Sequence, residues 1–219
     1  EIPYKVYHGI SITNLATGIS GLSNYRFGRP TTLTYAYGGW VATSPLEVIS
    51  ANLQLNLHTL VLFDLDPTGL GTGNMQPMLP IDARKVMYRM LEKWQEDSLQ
   101  EIEEVVDSSF NFKQHSMKQL PENLSQLPVV VCTDLGTTNQ SLWRGILGSI
   151  EKAPVGNMHC MIIPSRLSEI EERVEQLEST VESTAAVLAE MYEQITEIRE
   201  VIISPASKFN SLSGLGLFK

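Results

Sequence analysis

The sequence predicts an α/β fold, and three observations carry the prediction. The run Leu57-His58-Thr59-Leu60-Val61-Leu62-Phe63-Asp64-Leu65-Asp66-Pro67 holds seven aliphatic, aromatic or β-branched residues in one run rather than an alternation, the mark of a strand buried on both faces. Two more apolar runs, 127–133 (LPVVVCT) and 159–163 (HCMII), read the same way. Helical patterns separate the three, and strand, helix, strand, helix, strand is the order of an α/β sheet. Ligands of open α/β sheets sit beyond the carboxyl ends of the strands, so the end at Asp64–Pro67 is the first place to look for a site.

The remaining elements follow in chain order. Residues 2–7 (IPYKVY) alternate as a strand does, and the chain begins in that pattern with Glu1 rather than Met, so a piece is expected upstream. After His8-Gly9 a helix is expected over 10–19, capped by Ser11 or Thr13. A helix start directly after a strand is a common place for a ligand to meet main-chain N–H groups. Residues 20–28 read as a turn anchored by Tyr25 and Phe27, 31–37 (TTLTYAY) as a strand, and Ser44-Pro45 as the start of a helix reaching about Leu55. Residues 68–80 form a loop. Its Gly69-Leu70-Gly71-Thr72-Gly73 lacks both the lysine and the strand-turn-helix spacing of a phosphate loop. A helix is expected from Ile81 to about Glu96, a polar insertion over about 98–126, and a short amphipathic helix over 142–150.

The tail is the most regular part. From Leu167 to Ile202 apolar residues recur at spacings alternating three and four, interrupted by Thr184, which is an a/d heptad over five repeats. A helix over 166–203 would be roughly 57 Å long. So long a seam must be covered, along the domain or by another chain, and pairing with a second copy is the favoured reading. Ser204-Pro205 is expected to stop the helix, leaving 204–219 as a flexible tail.

Composition limits the functions available. A net charge of −9 argues against nucleic acid or an anionic membrane as partner, because phosphates need basic patches. No apolar run approaches the roughly 20 residues of a membrane span. Cys132 and Cys160, in separate apolar runs, read as buried reduced thiols and supply too few ligands for a structural zinc. No metal site is expected.

Three segments in one order then carry a resemblance. Gly18-Ile19-Ser20-Gly21-Leu22 with Tyr25-Arg26-Phe27-Gly28, next His58-Thr59-Leu60-Val61-Leu62-Phe63-Asp64-Leu65, and last His159-Cys160-Met161-Ile162-Ile163-Pro164 with Leu167 resemble the corresponding motifs of diphthine synthases. The likeness covers roughly 4–172. It implies the tetrapyrrole-methylase-like class, whose two α/β domains hold S-adenosylmethionine in the cleft between them. On that reading 1–20 ends the amino-terminal cofactor domain. Residues 21–165 form the second domain, a mixed sheet flanked by helices, and the heptad helix lies outside the family pattern. The resemblance implies an enzyme that N-methylates the modified histidine of translation elongation factor 2 in diphthamide biosynthesis; a cytoplasmic protein is expected from its reduced thiols, and a homodimer, through the 166–203 helix, from the heptad seam. The resemblance assigns cofactor contacts to Ser11, Ile12, Phe63, Leu135 and His159.

Two departures stand out. The family's ARAGS-like turn is replaced by Thr133-Asp134-Leu135-Gly136-Thr137, keeping only the glycine, and a late glycine and histidine are replaced by Ser165 and Ser168. Methyl transfer to an amine needs alignment and a neutral amine, not a metal or a covalent nucleophile. Asp64 and Asp134, near strand ends, are candidate proton acceptors; the competing reading makes Asp64 a turn carboxylate. His159 is read either as a structural hydrogen-bonder or as a cofactor contact, and His58 as holding the junction into its strand. Two other functions remain open, a tetrapyrrole or corrin methylase and a non-catalytic coiled-coil assembly module.

Overall fold

The computed structural model describes residues 9–100 and 108–213. The expected strand over 2–7, His8, the acidic stretch 101–107 and the last six residues lie outside the described residues. The chain divides into two units that meet between Ser168 and Glu169.

The first unit is built on a five-stranded sheet: β1 (Thr31–Leu33), β2 (Thr59–Phe63), β3 (Pro128–Thr133), β4 (Ser141–Ile146) and β5 (His159–Ile163). Their spatial order is β1-β2-β5-β3-β4. β1 and β2 run parallel, whereas β2–β5, β5–β3 and β3–β4 are antiparallel. The sheet is therefore mixed and flanked by helices, as expected. The three runs that predicted the fold are its three central strands, and all but Leu62 and the first residue of β3 are buried. With both faces covered, these strands have no reason to alternate.

The helices are α1 (Ile12–Ile19), α2 (Ser44–Gln54), α3 (Pro80–Gln100) and α4 (Ser108–Met117). α1 is capped by Ser11, whose side chain accepts from the Thr13 N–H. α2 carries proline in its first turn, where a missing N–H costs nothing. α3 runs four residues past its expected end, and with α4 it makes part of the described insertion helical; residues 118–123 are turns and bends.

Two elements of the first unit differ from the sequence reading. The helix expected over 142–150 is instead strand β4 followed by a short 3-10 turn, Leu147–Lys152. Six residues of β4 pair with β3, from Ser141 opposite Thr133 to Ile146 opposite Pro128. Leu142, Ile146 and Ile150 sit at helical spacing, but the ladder available along β3 outweighs that local pattern. Gly145 fits the strand because a Cβ there would fall 2.4 Å from the Trp143 ring. The strand expected over 31–37 stops at Leu33. The Tyr35 N–H donates to the Asp64 carboxylate rather than to a neighbouring strand.

Side chains alternate across the sheet into two apolar layers. Leu33, Val61, Phe63, Val129, Val131, Met161 and Ile163 join Leu46 and Ile49 of α2 and Met87 and Met90 of α3 in the larger core. Leu60, Val130, Cys132, Cys160 and Ile162 face the other way, onto Ala16 of α1. Cys132 and Cys160 are opposite one another on β3 and β5, buried and free. His58 sits at the junction its sequence position suggested. Its Nδ1 accepts the Ser165 N–H at 3.0 Å, and its ring meets Phe27 edge-on at 5.4 Å.

The second unit contains α5 (Glu169–Ser213), 45 residues and about 68 Å long. The helix does not stop at Ser204-Pro205 but continues through both to Ser213, so the described part of the expected flexible tail is helical. A proline removes one main-chain donor and crowds the carbonyl four residues back, which weakens a turn without preventing helix beyond it. No helix among the described residues is long and apolar enough to cross a membrane.

Candidate functional site

β1, β2 and β3 end, and β5 begins, at one edge of the sheet. Leu62 pairs with Cys160 and Thr133 with His159, so Phe63, His159 and Thr133 sit level at that edge on three adjacent strands. Strand alternation puts all three on the larger-core face. α1 descends the opposite face. A Cβ on Gly136, beyond the end of β3, would lie 3.2 Å from Leu15 Cδ1, while the Ser20 carbonyl lower down accepts from Arg144 Nη2 at 3.2 Å. The start of α1, with Ser11 and Ile12, therefore opens toward the same edge as Leu135.

The five residues assigned to cofactor contact thus share one end of the sheet but divide between its faces. Ser11 is exposed and Ile12 is 37% exposed. Leu135 packs partly buried in the smaller layer with Ala16, and Phe63 is 6% exposed within the larger core. His159 is 8% exposed, and neither ring nitrogen has a hydrogen-bond partner among the described residues. Burial holds its pKa below the usual histidine value, against the weaker opposite influences of the Pro154 carbonyl and the Asp134 charge. That direction favours the neutral ring, in which one nitrogen donates and the other accepts.

Both candidate proton acceptors are occupied as braces. Asp64 Oδ2 accepts from the Tyr35 N–H at 3.1 Å and the Tyr37 hydroxyl at 2.7 Å, and Oδ1 accepts from the Asp66 N–H at 3.0 Å. Asp134 Oδ1 accepts from the Asn157 and Met158 N–H groups at 2.9 and 2.8 Å. Asp134 is also left-handed, with φ of 48°, which lets the chain reverse into β4.

Sequence reading passed over Asp66, which organises the loop after β2. Fully buried, it takes the Gly71 N–H on both oxygens and the Thr72 N–H and hydroxyl on Oδ2, and the Tyr37 hydroxyl at 3.3 Å. Burial alone would raise its pKa, but the N–H groups of Gly71 and Thr72 outweigh it and hold the carboxyl below its usual value. This explains the glycine cluster: its N–H groups form an anion nest, and the anion is the protein's own aspartate. Tyr35 was missed as well. Its hydroxyl is buried without a partner, and burial, followed by the charges of Asp82, Asp66 and Asp64, pushes its pKa up to about 12. No cluster of three or more metal-ligating side chains occurs among the described residues. A cavity of about 540 Å³ between the start of β1, α2 and α4 includes none of the assigned residues.

These arrangements can be set against known proteins. No family model matches the chain. A curated diphthine synthase from Methanocorpusculum labreanum is 53% identical over 65 residues, 30% of this chain and 26% of that protein. The diphthine synthase of Pyrobaculum aerophilum is 29% identical over 168 residues, 77% of this chain and 54% of that protein. The chain therefore spans about half the length of that relative. A crystal structure of diphthine synthase superposes with a TM-score of 0.53 at 22% identity, covering 76% of this chain and 51% of that one, which establishes the shared fold.

Proposed function

We propose that this chain is the carboxy-terminal half of an S-adenosylmethionine-dependent diphthine synthase. Its substrate would be the modified histidine of translation elongation factor 2, in the cytoplasm. The similarity to diphthine synthases supports the reading, and the single structural observation that carries it is His159. A buried imidazole with two unpartnered nitrogens costs free energy unless a bound molecule completes it.

The residues at the sheet edge fit such a molecule. His159 would donate from one nitrogen and accept at the other, toward the polar groups of the cofactor. The first turn of α1, at Ser11 and Ile12, carries main-chain N–H groups that the helix itself leaves without acceptors. Phe63 and Leu135 would exclude water. S-adenosylmethionine, once bound, would supply a methyl group on a sulfonium, and the protein's part is then alignment. Asp64 and Asp134 would keep their bracing bonds and hold the two walls in place, rather than take the amine proton.

The experiment joins this chain to the amino-terminal half of the Pyrobaculum aerophilum relative and titrates the product with S-adenosylhomocysteine by calorimetry. Binding is expected, weakened at least about tenfold by His159→Ala, which removes two hydrogen bonds. A joined protein that folds yet does not bind rejects the reading. Methylation of elongation factor 2, tested beside a precorrin, separates the protein substrate from a tetrapyrrole one.

A further inference from the structure

We propose that Cys132 and Cys160 form a two-coordinate site for a soft divalent ion, which their geometry and surroundings identify as mercury(II). The site lies within the sheet and does not depend on the methyltransferase reading.

The two thiols are the chain's only cysteines, and they stand opposite one another on β3 and β5. Both are free and buried, 1% and 3% exposed. Each senses the other. The S–H of Cys132, directed at Cys160, is the leading cause that holds the Cys160 pKa below its usual value.

The register decides which bridge the pair can accept. Antiparallel partners alternate between hydrogen-bonded pairs, with Cα atoms about 5.5 Å apart, and non-bonded pairs at about 4.5 Å. The Asp134 N–H donates to the Met158 carbonyl at 2.8 Å, two residues further along the same ladder. The Leu147 N–H donates to the Leu127 carbonyl at 2.8 Å, which turns the main-chain groups of 129, 131 and 133 toward β4 and those of 130 and 132 toward β5. Cys132 and Cys160 are therefore a hydrogen-bonded pair, the wider kind. A disulfide needs Cβ atoms about 3.5–4.5 Å apart, closer than such a pair holds them unless the strands move. A linear sulfur–metal–sulfur bridge with metal–thiolate bonds of about 2.3 Å sets its sulfurs roughly 4.6 Å apart, which suits the wider spacing.

Ligand count and charge then select the ion. Thiolates favour soft metals. Structural zinc is almost always four-coordinate, and no third metal-ligating side chain joins the pair among the described residues. The thiols face Ala16, Leu60, Val130 and Ile162 in the smaller apolar layer, where a net charge is costly. A monovalent ion on two thiolates leaves one negative charge, and Arg144, whose charge reaches Cys132, already gives its Nη2 to the Ser20 carbonyl. Mercury(II) on two thiolates is neutral. Binding forms two mercury–sulfur bonds and releases the two thiol protons, with no change of oxidation state. The ion enters past α1, a cover of eight residues with only Ala16 and Thr17 buried, whose local opening exposes the pair.

Mercuric chloride added to the full chain in thiol-free buffer should bind one ion per chain. Both cysteines should then be closed to a thiol reagent, and the thermal unfolding midpoint should rise, because the folded pair holds the ion better than the unfolded chain does. Cys132→Ala and Cys160→Ala should each hold the ion at least about a hundredfold less well against 2-mercaptoethanol, since a two-point attachment becomes one-point. Circular dichroism checks that each variant folds, and Cys160→Ser supplies a closer match in size. Zinc chloride at the same concentration should leave the midpoint unchanged. One thiol consumed per ion with the other still reactive, two chains bridged by one ion, a midpoint that falls with mercury or rises with zinc, or a Cys132–Cys160 disulfide formed readily in air would overturn the proposal.

Discussion

Two segments at the same edge of the sheet treat their polar groups in opposite ways. In the loop after β2, Asp64 and Asp66 between them accept two tyrosine hydroxyl bonds and main-chain N–H groups from Tyr35, Asp66, Gly71 and Thr72. A few ångströms of strand away, His159 opens β5 with both nitrogens unanswered. The two carboxylates of the first region have spent their hydrogen-bonding capacity on the fold; the imidazole of the second has not. Closed networks report stability, and an unsatisfied buried group calls for an explanation outside the fold's own bonds.

That contrast can be broken by substitution. Asp66→Ala should have the largest effect, because it removes the acceptor around which the loop is wound and leaves three donors of Gly71 and Thr72 without it. The urea midpoint should fall further than for any other change considered, and a small change would mean that the loop is held otherwise. The same carboxyl carries a pH signature. Its folded pKa is depressed below 3.8, so its contribution is fully present above about pH 4 and is lost as pH falls through the folded value. Asp66→Asn should flatten the acid limb of stability against pH.

Gly71→Ala comes next. Its Cβ would sit 2.7 Å from Tyr35 Cβ and Cγ, an overpacking that costs about 1–3 kcal/mol, read by thermal or urea unfolding. His159→Phe should behave the other way, leaving stability at pH 8 nearly unchanged, since no protein hydrogen bond is lost. The folded pKa of His159 lies below 6.5, so the stability linked to its neutral ring is complete above pH 6.5 and declines as pH falls through the folded value. The variant should lose that decline. An unfolding midpoint that drops sharply at pH 8 would show that the ring is a structural member after all. A small effect is also expected for Asp134→Asn. The amide oxygen can still accept from Asn157 and Met158, and stability should shift by less than about 1 kcal/mol.

How far the sequence could be read follows from burial. β2, β3 and β5 were legible because strands covered on both faces are written as unbroken apolar runs. β4 is an edge strand with side chains in partial contact, and its Leu142–Ile146–Ile150 spacing imitates a helix; only its ladder with β3 distinguishes the two. The apolar seam of α5 was plain, but its end was not, since a proline penalises helix without forbidding it. At the site, sequence reading singled out His159 as a histidine opening a strand, but which groups surround a ring is a property of the packed fold. Asp66 was harder still, because nothing in Asp64-Leu65-Asp66 tells which of the two carboxylates turns inward.

The strand order has a consequence in time. β5 is the last strand of the sheet along the chain, yet it lies third of five in space, between β2 and β3. Before it is made, the β1–β2 pair and the β3–β4 hairpin share no ladder, and each presents an open edge exactly where β5 will go. The hairpin can close at once, since its strands are separated by seven residues, but β2 must wait about a hundred residues for its partner. A growing chain therefore cannot enlarge its sheet strand by strand. It holds two incomplete halves until residue 163 is available, then joins them in one late step. Chains cut short before His159 should accumulate as aggregation-prone species with unpaired edges rather than as smaller folded domains.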